Sequence, residues 1–470
     1  MNLVGAREVG VRGAGESLLD ASIKKSSRVP DIDFWRGFAL TMILVDHIPG
    51  CFLDQFTLQN FVFADAAEVF VFLSGVSTGL VYLPRFRQGG IKAVINGCGT
   101  RALKIYGVYI ALIVVPLIVL VVVIAVVASV SPIAASEQLS RMSSAEGISH
   151  FLKSPIPSLL NVALLRYLPA YGSILPLYVT LMLWAPFALA LALWDVRIAL
   201  LVSAGIYAVG RGPSLALERH HGGWYFNPLT WQLVFTIGIV CAVLWRDGLP
   251  RPSPRLLKLS AAVVLIAAIM ATSAVGSFSA LHLAAVAHLD INKPNLGLVR
   301  LVNFLAMAYL IGAAVVTPDL APGIRQLIDG RFGRALQIVG RNSLAIFATG
   351  ALLSLIGREF LRAADFASSA HFHRPIGLAT ALMAVCAQFA ISRRIERQSS
   401  ARASHGLAWA NTLTSSCSNR AAVVARHLSI LLPWRVKLAL ALFRWQPPPG
   451  AAGASPDGRS PTARRRNRSN

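Results

Sequence analysis

The chain has 470 residues, of which 55% are hydrophobic and 14% charged, and its formal net charge is +23. Apolar runs such as 107–130 exclude a soluble enzyme and predict an all-α, polytopic integral membrane helix bundle. In a soluble chain this charge would suggest a nucleic acid partner, but most basic residues here lie in loops and tails between apolar segments. We therefore expect the charge to set membrane orientation, with no nucleic acid partner.

The five cysteines are scattered and form no CxxC pair, which predicts neither a disulfide framework nor a zinc site. Two histidine pairs, His220 with His221 and His371 with His373, fall in predicted outer loops without a nearby third ligand. We expect no metal site and no bound cofactor.

Residues 1–32 are polar and lack an apolar core with a cleavage site, so we expect no cleavable signal peptide and a cytoplasmic N-terminal tail. Ten apolar segments then form a predicted transmembrane domain over 33–393, followed by a basic tail, 394–470, that is largely disordered in this prediction. The predicted spans lie near residues 33–50, 64–83, 105–130, 174–194, 197–211, 228–245, 258–277, 299–317, 342–357 and 376–392.

Lysine and arginine are unevenly shared between the connections. The N-terminal tail and the segments 84–104, 246–258 and 318–341 are rich in them, whereas 50–63 has none. Cytoplasmic loops carry this excess, so both termini are predicted to be cytoplasmic.

The first span contains Arg36 and His47, eleven residues apart. On a regular helix they share a face and lie about 16 Å apart along the axis, roughly half a bilayer. Ionisable groups are costly in such a segment and indicate function, although a structural pairing of Arg36 with Asp33 or another helix is the alternative.

The predicted orientation places Arg36 in the cytoplasmic half of the membrane and His47 in the outer half. An anionic donor would meet the arginine, and the histidine would act as general base near neutral pH. Asp46 points about 100° away on a regular helix. It would orient the imidazole only if the helix is distorted near Pro49, and Glu68 is the other candidate carboxylate.

The second span places Asp65, Glu68, Phe72, Gly75 and Gly79 on one face. The two glycines predict a close approach by another helix, and the acidic end would lie level with His47. Helix N-terminal charge favouring the macrodipole is the alternative explanation for the two carboxylates.

Asp33-x-x-Arg36-Gly37 followed by His47 resembles the first-helix signature of the membrane acyltransferase-3 superfamily. The stretches 33–50 and 56–82 are similar to the OpgC family, which modifies osmoregulated periplasmic glucans. Further matches are at 175–178, 223–232 and 340–343, so the resemblance covers 31 to about 392.

This resemblance implies a ten-helix bacterial inner membrane O-acyltransferase. It would move a succinyl group from a cytoplasmic acyl-coenzyme A, a donor substrate and not a bound cofactor, to hydroxyls of periplasmic glucan. His47 would be the catalytic residue and Arg36 a donor-binding residue. The physical interpretation agrees, because transfer to a hydroxyl needs a base and the donor needs positive charge.

Each of the other candidate binding residues also has a structural explanation. Aromatic and cationic residues near the outer face would bind the acceptor or the acyl carboxylate, or merely form the interfacial belt. Residues at the start of the ninth span would bind phosphate, or merely anchor the helix. The candidates for binding are Asp33, Asp65, Ser74, Arg166, Tyr178, Trp224, Asn227, Trp231, Gln232, Arg341 and Ser343.

Two alternatives remain open at this point. One is an acyltransferase acting on surface polysaccharide or lipid-linked sugar, and the other is a transporter or flippase using the Arg36 to His47 track. The tail segment 427–445 mixes apolar and basic residues and predicts an amphipathic helix on anionic membrane lipid. Oligomeric state is not addressed by the sequence.

Overall fold

The computed structural model describes residues 29–48, 52–130, 154–166, 173–212, 224–248, 251–272, 289–367, 375–402 and 404. Throughout these residues the regular structure is helical and no strand occurs, which confirms the predicted all-α class. The chain forms two compact units, 1–400 and 401–470. The second unit is described only at 401, 402 and 404, so the predicted amphipathic segment 427–445 lies outside the described residues.

The described helices follow in chain order. They are α1 Pro30–Asp46, α2 Ala66–Val130, α3 Pro155–Ala163, α4 Ile174–Trp194, α5 Val196–Gly210, α6 Pro228–Asp247, α7 Pro254–Thr272, α8 Leu298–Val316, α9 Pro322–Asp329, α10 Arg331–Arg341, α11 Ser343–Ala367 and α12 Pro375–Arg402. Short 3₁₀ turns at Phe52–Phe56 and Leu58–Asn60 join α1 to α2.

Six of the described helices, namely α2, α4, α6, α7, α8 and α12, are long and apolar enough to cross a membrane. A seventh span results if α10 and α11, which meet at a 95° bend, are counted as one. The chain is thus a multi-pass membrane protein. The number ten and the cytoplasmic position of the termini stay predictions.

The segment 84–104, expected as a loop, is helical. It continues α2, whose regular geometry is broken at Gly90, where φ is 65° and ψ is −165°. Glycine adopts a positive φ without steric cost, so the helix bends there and resumes. The basic residues of this segment therefore lie on helix faces, with orientations that a loop would not give them.

Glycine residues allow α2 and α6 to approach closely, as the spacing of Gly75 and Gly79 predicted. A Cβ atom added at Gly75 would lie 2.1 Å from the carbonyl oxygen of Phe235, and one added at Gly238 would lie 2.3 Å from that of Phe72. No larger residue fits at either position without separating the helices.

The same kind of contact joins α1 to α10. A Cβ atom added at Gly37 would lie 2.0 Å from the carbonyl oxygen of Leu336, and one at Gly340 would lie 1.9 Å from that of Asp33. This crossing holds Arg36, the residue next to Gly37, beside the junction of α10 and α11.

Candidate functional site

A cavity of about 490 Å³ lies between α1, α2, α4, α10 and α11. Its described lining includes five cationic side chains and no carboxylate. We call it the basic cavity, and its cations are Arg36, Arg85, Arg101, Lys104 and Arg341. A cavity with this lining is suited to an anionic ligand with several negative groups.

Arg36 lies in this cavity and is held from two sides. Its Nη2 donates a hydrogen bond to the Ser343 hydroxyl at 2.5 Å, and its guanidinium lies 5.8 Å from the centroid of the Phe70 ring. Its Nε is buried without a hydrogen-bond partner among the described atoms. Arg36 therefore retains donor capacity that its protein contacts do not use.

Hydroxyl groups line the wall opposite α1. The Ser74 hydroxyl donates a hydrogen bond to the Tyr178 hydroxyl at 3.3 Å, and Thr78 and Tyr82 continue the same face of α2. The structure thus brings together five of the residues predicted to bind substrate or donor. They are Arg36, Ser74, Tyr178, Arg341 and Ser343.

Arg341 connects the cavity to its surroundings. Its Nε lies 3.6 Å from a carboxylate oxygen of Asp33, and its Nη1 lies 2.9 Å from one of Glu396. Asp33, also predicted as a binding residue, contacts Arg341 from α1 and is absent from the described cavity lining. These contacts orient Arg341 and tie α1 to α10.

Sequence reasoning missed three of the five cations, Arg85, Arg101 and Lys104, because it assigned them to a loop. The signal was present in their spacing. Gly97, Thr100, Arg101, Lys104 and Ile105 recur at intervals of three and four, and all line the cavity. This spacing is typical of a polar and basic stripe on one face of a helix, and it predicts that this face lines a cavity.

His47 lies directly after the end of α1, which terminates at Asp46. Its Nδ1 lies 2.6 Å from the carbonyl oxygen of Ile43. A carbonyl oxygen only accepts hydrogen bonds, so this contact assigns the proton of the neutral ring to Nδ1 and leaves Nε2 unprotonated. In this tautomer the basic lone pair of the ring belongs to Nε2.

His47 lines a small pocket of about 10 Å³ between α1, α11 and α12. We call it the histidine pocket; its polar lining includes Ser354 and Gln388. Phe347 lines both this pocket and the basic cavity. The two spaces are therefore neighbours across one aromatic side chain.

Asp46 faces the segment between α1 and α2. One of its carboxylate oxygens accepts a hydrogen bond from Gln59 Nε2 at 3.0 Å. The Nδ1 of His47 is engaged by Ile43. Orientation of the imidazole therefore comes from a backbone carbonyl at this nitrogen, where we expected a carboxylate; the expected distortion near Pro49 lies outside the described residues.

Glu68 and Asp65 belong to a buried ionic cluster that the sequence did not reveal. Arg300 of α8 contacts both, at 2.9 Å from Asp65 and 3.2 Å from one oxygen of Glu68, and Lys293 pairs with Asp65. Glu68 is fully buried. The structure places Glu68 in a pairing between α2 and α8; its role as a carboxylate that orients His47 stays a prediction.

The pKa of Lys293, the lysine of this cluster, reflects the negative charges around it. Burial, the largest single influence, would lower the pKa of Lys293, but the carboxylates of Asp65 and Glu68 together raise that pKa above its ordinary value. The charges of Asp65 and Lys293 also act on Asp46 and His47. The acidic end of α2 therefore lies near His47, as predicted, but in a neutralised form.

Three residues expected to bind the acceptor are occupied in packing. Trp231 is fully buried and its Nε1 donates to the carbonyl oxygens of Lys293 and Pro294. The side chain of Asn227 caps α6, and Gln232 is bonded to Ser203 of α5. These contacts tie the side chains into the packing of α5, α6 and the loop that carries Lys293; sugar binding by them stays a prediction.

The two remaining acceptor candidates lie away from these contacts. Trp224 is half-buried in the segment before α6, and Arg166 is exposed at the end of α3. Within the described ranges no group of three histidine, cysteine or acidic residues is arranged to hold a metal. The predicted pairs at 220–221 and 371–373 lie outside those ranges.

The fold and these two spaces define a class of protein: a multi-pass helical membrane protein with a basic cavity next to a histidine pocket inside its bundle. A family model described as OpgC protein matches residues 28–400. The chain therefore belongs to the OpgC family, and this membership indicates a membrane acyltransferase. Comparisons with curated proteins and with solved structures give no match.

Proposed function

We propose that this protein is an inner membrane O-acyltransferase that transfers a succinyl group from a cytoplasmic acyl-coenzyme A to hydroxyls of periplasmic glucan. The observation that carries the proposal is the basic cavity, with five cations and no carboxylate in its described lining. Coenzyme A carries several phosphate charges, and a succinyl group adds a carboxylate. Both are anions that arginine side chains bind through charge-assisted hydrogen bonds.

The neighbouring histidine pocket supports the chemical step. The acceptor hydroxyl gives its proton to Nε2 of His47 while its oxygen attacks the thioester carbonyl carbon. As the tetrahedral intermediate collapses, the carbon–sulfur bond breaks and the proton passes from His47 to the leaving thiolate. The products are the glucan ester and free coenzyme A, so no further reactant is required.

The positions of the basic cavity and the histidine pocket also support binding of the acyl donor and the glucan from opposite sides of the membrane. Arg36 lies on α1 about three helical turns before His47, which directly follows that helix, and Phe347 lies between the spaces that they line. In the predicted orientation the donor phosphates stay in the basic cavity while the acyl end reaches the histidine. Glucan approaches from the opposite face.

The test compares periplasmic glucans from cells that lack the protein and are complemented with wild type, with His47→Ala, or with Leu201→Ala. Leu201 is exposed on α5 and serves as the control at matched membrane levels. We expect anionic succinyl esters with wild type and the control, and none with His47→Ala. Esters formed by His47→Ala would contradict the role of the histidine.

The acceptor is tested by the same cells. If wild type leaves the glucans unchanged but acylates a surface polysaccharide or a lipid-linked sugar, the glucan assignment is wrong. If coenzyme A release from an acyl donor does not depend on the protein in reconstituted vesicles, the transferase assignment is wrong and transport replaces it.

A further inference from the structure

A second large space lies on another side of the bundle, between α1, α2, α6 and α8. It has a volume of about 460 Å³, and its described lining is almost entirely apolar. Gly312 and Val316 of α8 line it and are themselves exposed, so the space opens at the surface of the bundle. We call it the apolar groove.

The polar side chains that line the apolar groove lie towards one of its ends. Asp31, its only charged lining residue among those described, begins α1, and Trp245 lies in the last turn of α6. At the other end the lining consists of apolar side chains such as Val69, Phe72 and Phe304. A ligand that fits this distribution has a long apolar part and one polar end.

The length of the groove matches one leaflet. Phe304 and Val316 both line it and are twelve residues apart on α8, which corresponds to about 18 Å along the helix. Half of the hydrocarbon core of a bilayer is about 15 Å. A groove of this length is long enough to reach from a membrane surface to about the bilayer centre.

The mouth of the groove carries positive charge. Arg246 and Arg251 are exposed and flank the lining residues Trp245 and Pro252. Asp31 is itself paired with Arg325 at 3.1 Å, so its negative charge is neutralised within the protein. Cations beside a tryptophan at a membrane surface suit the phosphate of a lipid headgroup.

We propose that the apolar groove binds one acyl chain of a phospholipid from the leaflet at the α1 start, with the lipid phosphate at Arg246 and Arg251. Apolar walls do not hold ordered water, and the acyl chains of the adjoining bilayer are the apolar molecules at hand to fill this groove. This site is distinct from the basic cavity and does not depend on the transferase reaction.

Gly312 provides a direct test. A Cβ atom added there meets no atom within 4 Å, so Gly312→Phe places a ring in the groove without a backbone clash. Gly205→Phe is the matched control, because Gly205 is also an exposed helical glycine with no neighbour within 4 Å and lies on α5. The full-length proteins are reconstituted with phosphatidylethanolamine and phosphatidylglycerol, and retained lipid is counted by native mass spectrometry.

Wild type and Gly205→Phe are expected to retain one more phospholipid than Gly312→Phe. Replacement of Arg246 and Arg251 by glutamine should weaken retention of that lipid several-fold and leave the fold intact. Equal retention by Gly312→Phe and wild type would overturn the proposal. So would a retained mass that corresponds to a lipid-linked sugar or to no lipid at all.

Discussion

Arg36 and Ser343 are joined by a hydrogen bond of 2.5 Å that connects α1 to the first residue of α11 across 307 positions of sequence. The bond lies in the wall of the basic cavity, beside the close crossing of Gly37 and Gly340. It fixes the guanidinium at the junction with the bent α10 and α11 pair. The position of this one cation therefore depends on two distant parts of the chain.

Arg36→Lys should weaken coenzyme A binding by about tenfold or more, equivalent to about 1.4 kcal/mol. Lysine keeps the charge but loses the planar fork that bonds Ser343 and a ligand together. The measurement is titration of coenzyme A into the full-length protein in nanodiscs. Arg255→Lys, at an exposed position in α7, should bind like wild type; an unchanged affinity in Arg36→Lys would contradict the assignment.

Arg101→Gln should also weaken coenzyme A binding by about tenfold, because a charge-assisted hydrogen bond contributes about 1.5–3 kcal/mol. The salt dependence of binding should become shallower, since one cation fewer meets the phosphates. Arg255→Gln is the matched control. Pantetheine lacks the phosphates, so Arg101→Gln should reduce its affinity far less than it reduces the affinity for coenzyme A. An equal loss of affinity for both ligands would contradict phosphate binding.

Hydropathy predicted much of the fold because membrane helices reveal themselves over about twenty residues. The expected spans 174–194 and 299–317 agree with α4 and α8 within a residue or two. The prediction of a loop at 84–104 was wrong because it was based on the charged residues of the segment. Charged residues on one face of a helix can instead line a cavity. Local sequence does not separate these two cases unless the spacing is examined.

The candidate site was predicted where its residues share a short motif. Arg36 lies on α1 and His47 directly follows that helix, and the structure places them in neighbouring spaces. The pairing of Glu68 with Arg300, by contrast, joins residues 232 positions apart. No local pattern reports such a contact, so the sequence indicated Glu68 only as a candidate carboxylate for His47.

Arg300→Met should destabilise the protein strongly, by about 3–5 kcal/mol, because it leaves the buried Glu68 without its partner. Thermal unfolding in detergent and the membrane level of the protein measure this loss. The double variant Glu68→Leu with Arg300→Met should recover much of the stability, since both charges are removed together.

Glucan acylation by that double variant separates two roles of Glu68. We expect acylation to return with stability, because the structure places Glu68 in a pairing between helices. Recovered stability without acylation would instead show that the carboxylate takes part in the reaction.

Gly340→Ala should lower both the unfolding temperature and coenzyme A affinity. The new methyl group would lie 1.9 Å from the carbonyl oxygen of Asp33, so α1 and α10 must separate. Overpacking costs about 1–3 kcal/mol even where side chains can adjust, and here the obstacle is backbone.

Gly107→Ala is the control for this effect, because a Cβ atom there meets nothing within 4 Å and alanine favours a helix. It should leave affinity unchanged and stability equal or higher. If Gly340→Ala were as stable as this control and bound coenzyme A like wild type, the crossing of α1 and α10 would not be what positions Arg36. If Gly340→Ala lost more coenzyme A affinity than its loss of stability explains, the crossing would be shown to act by positioning Arg36.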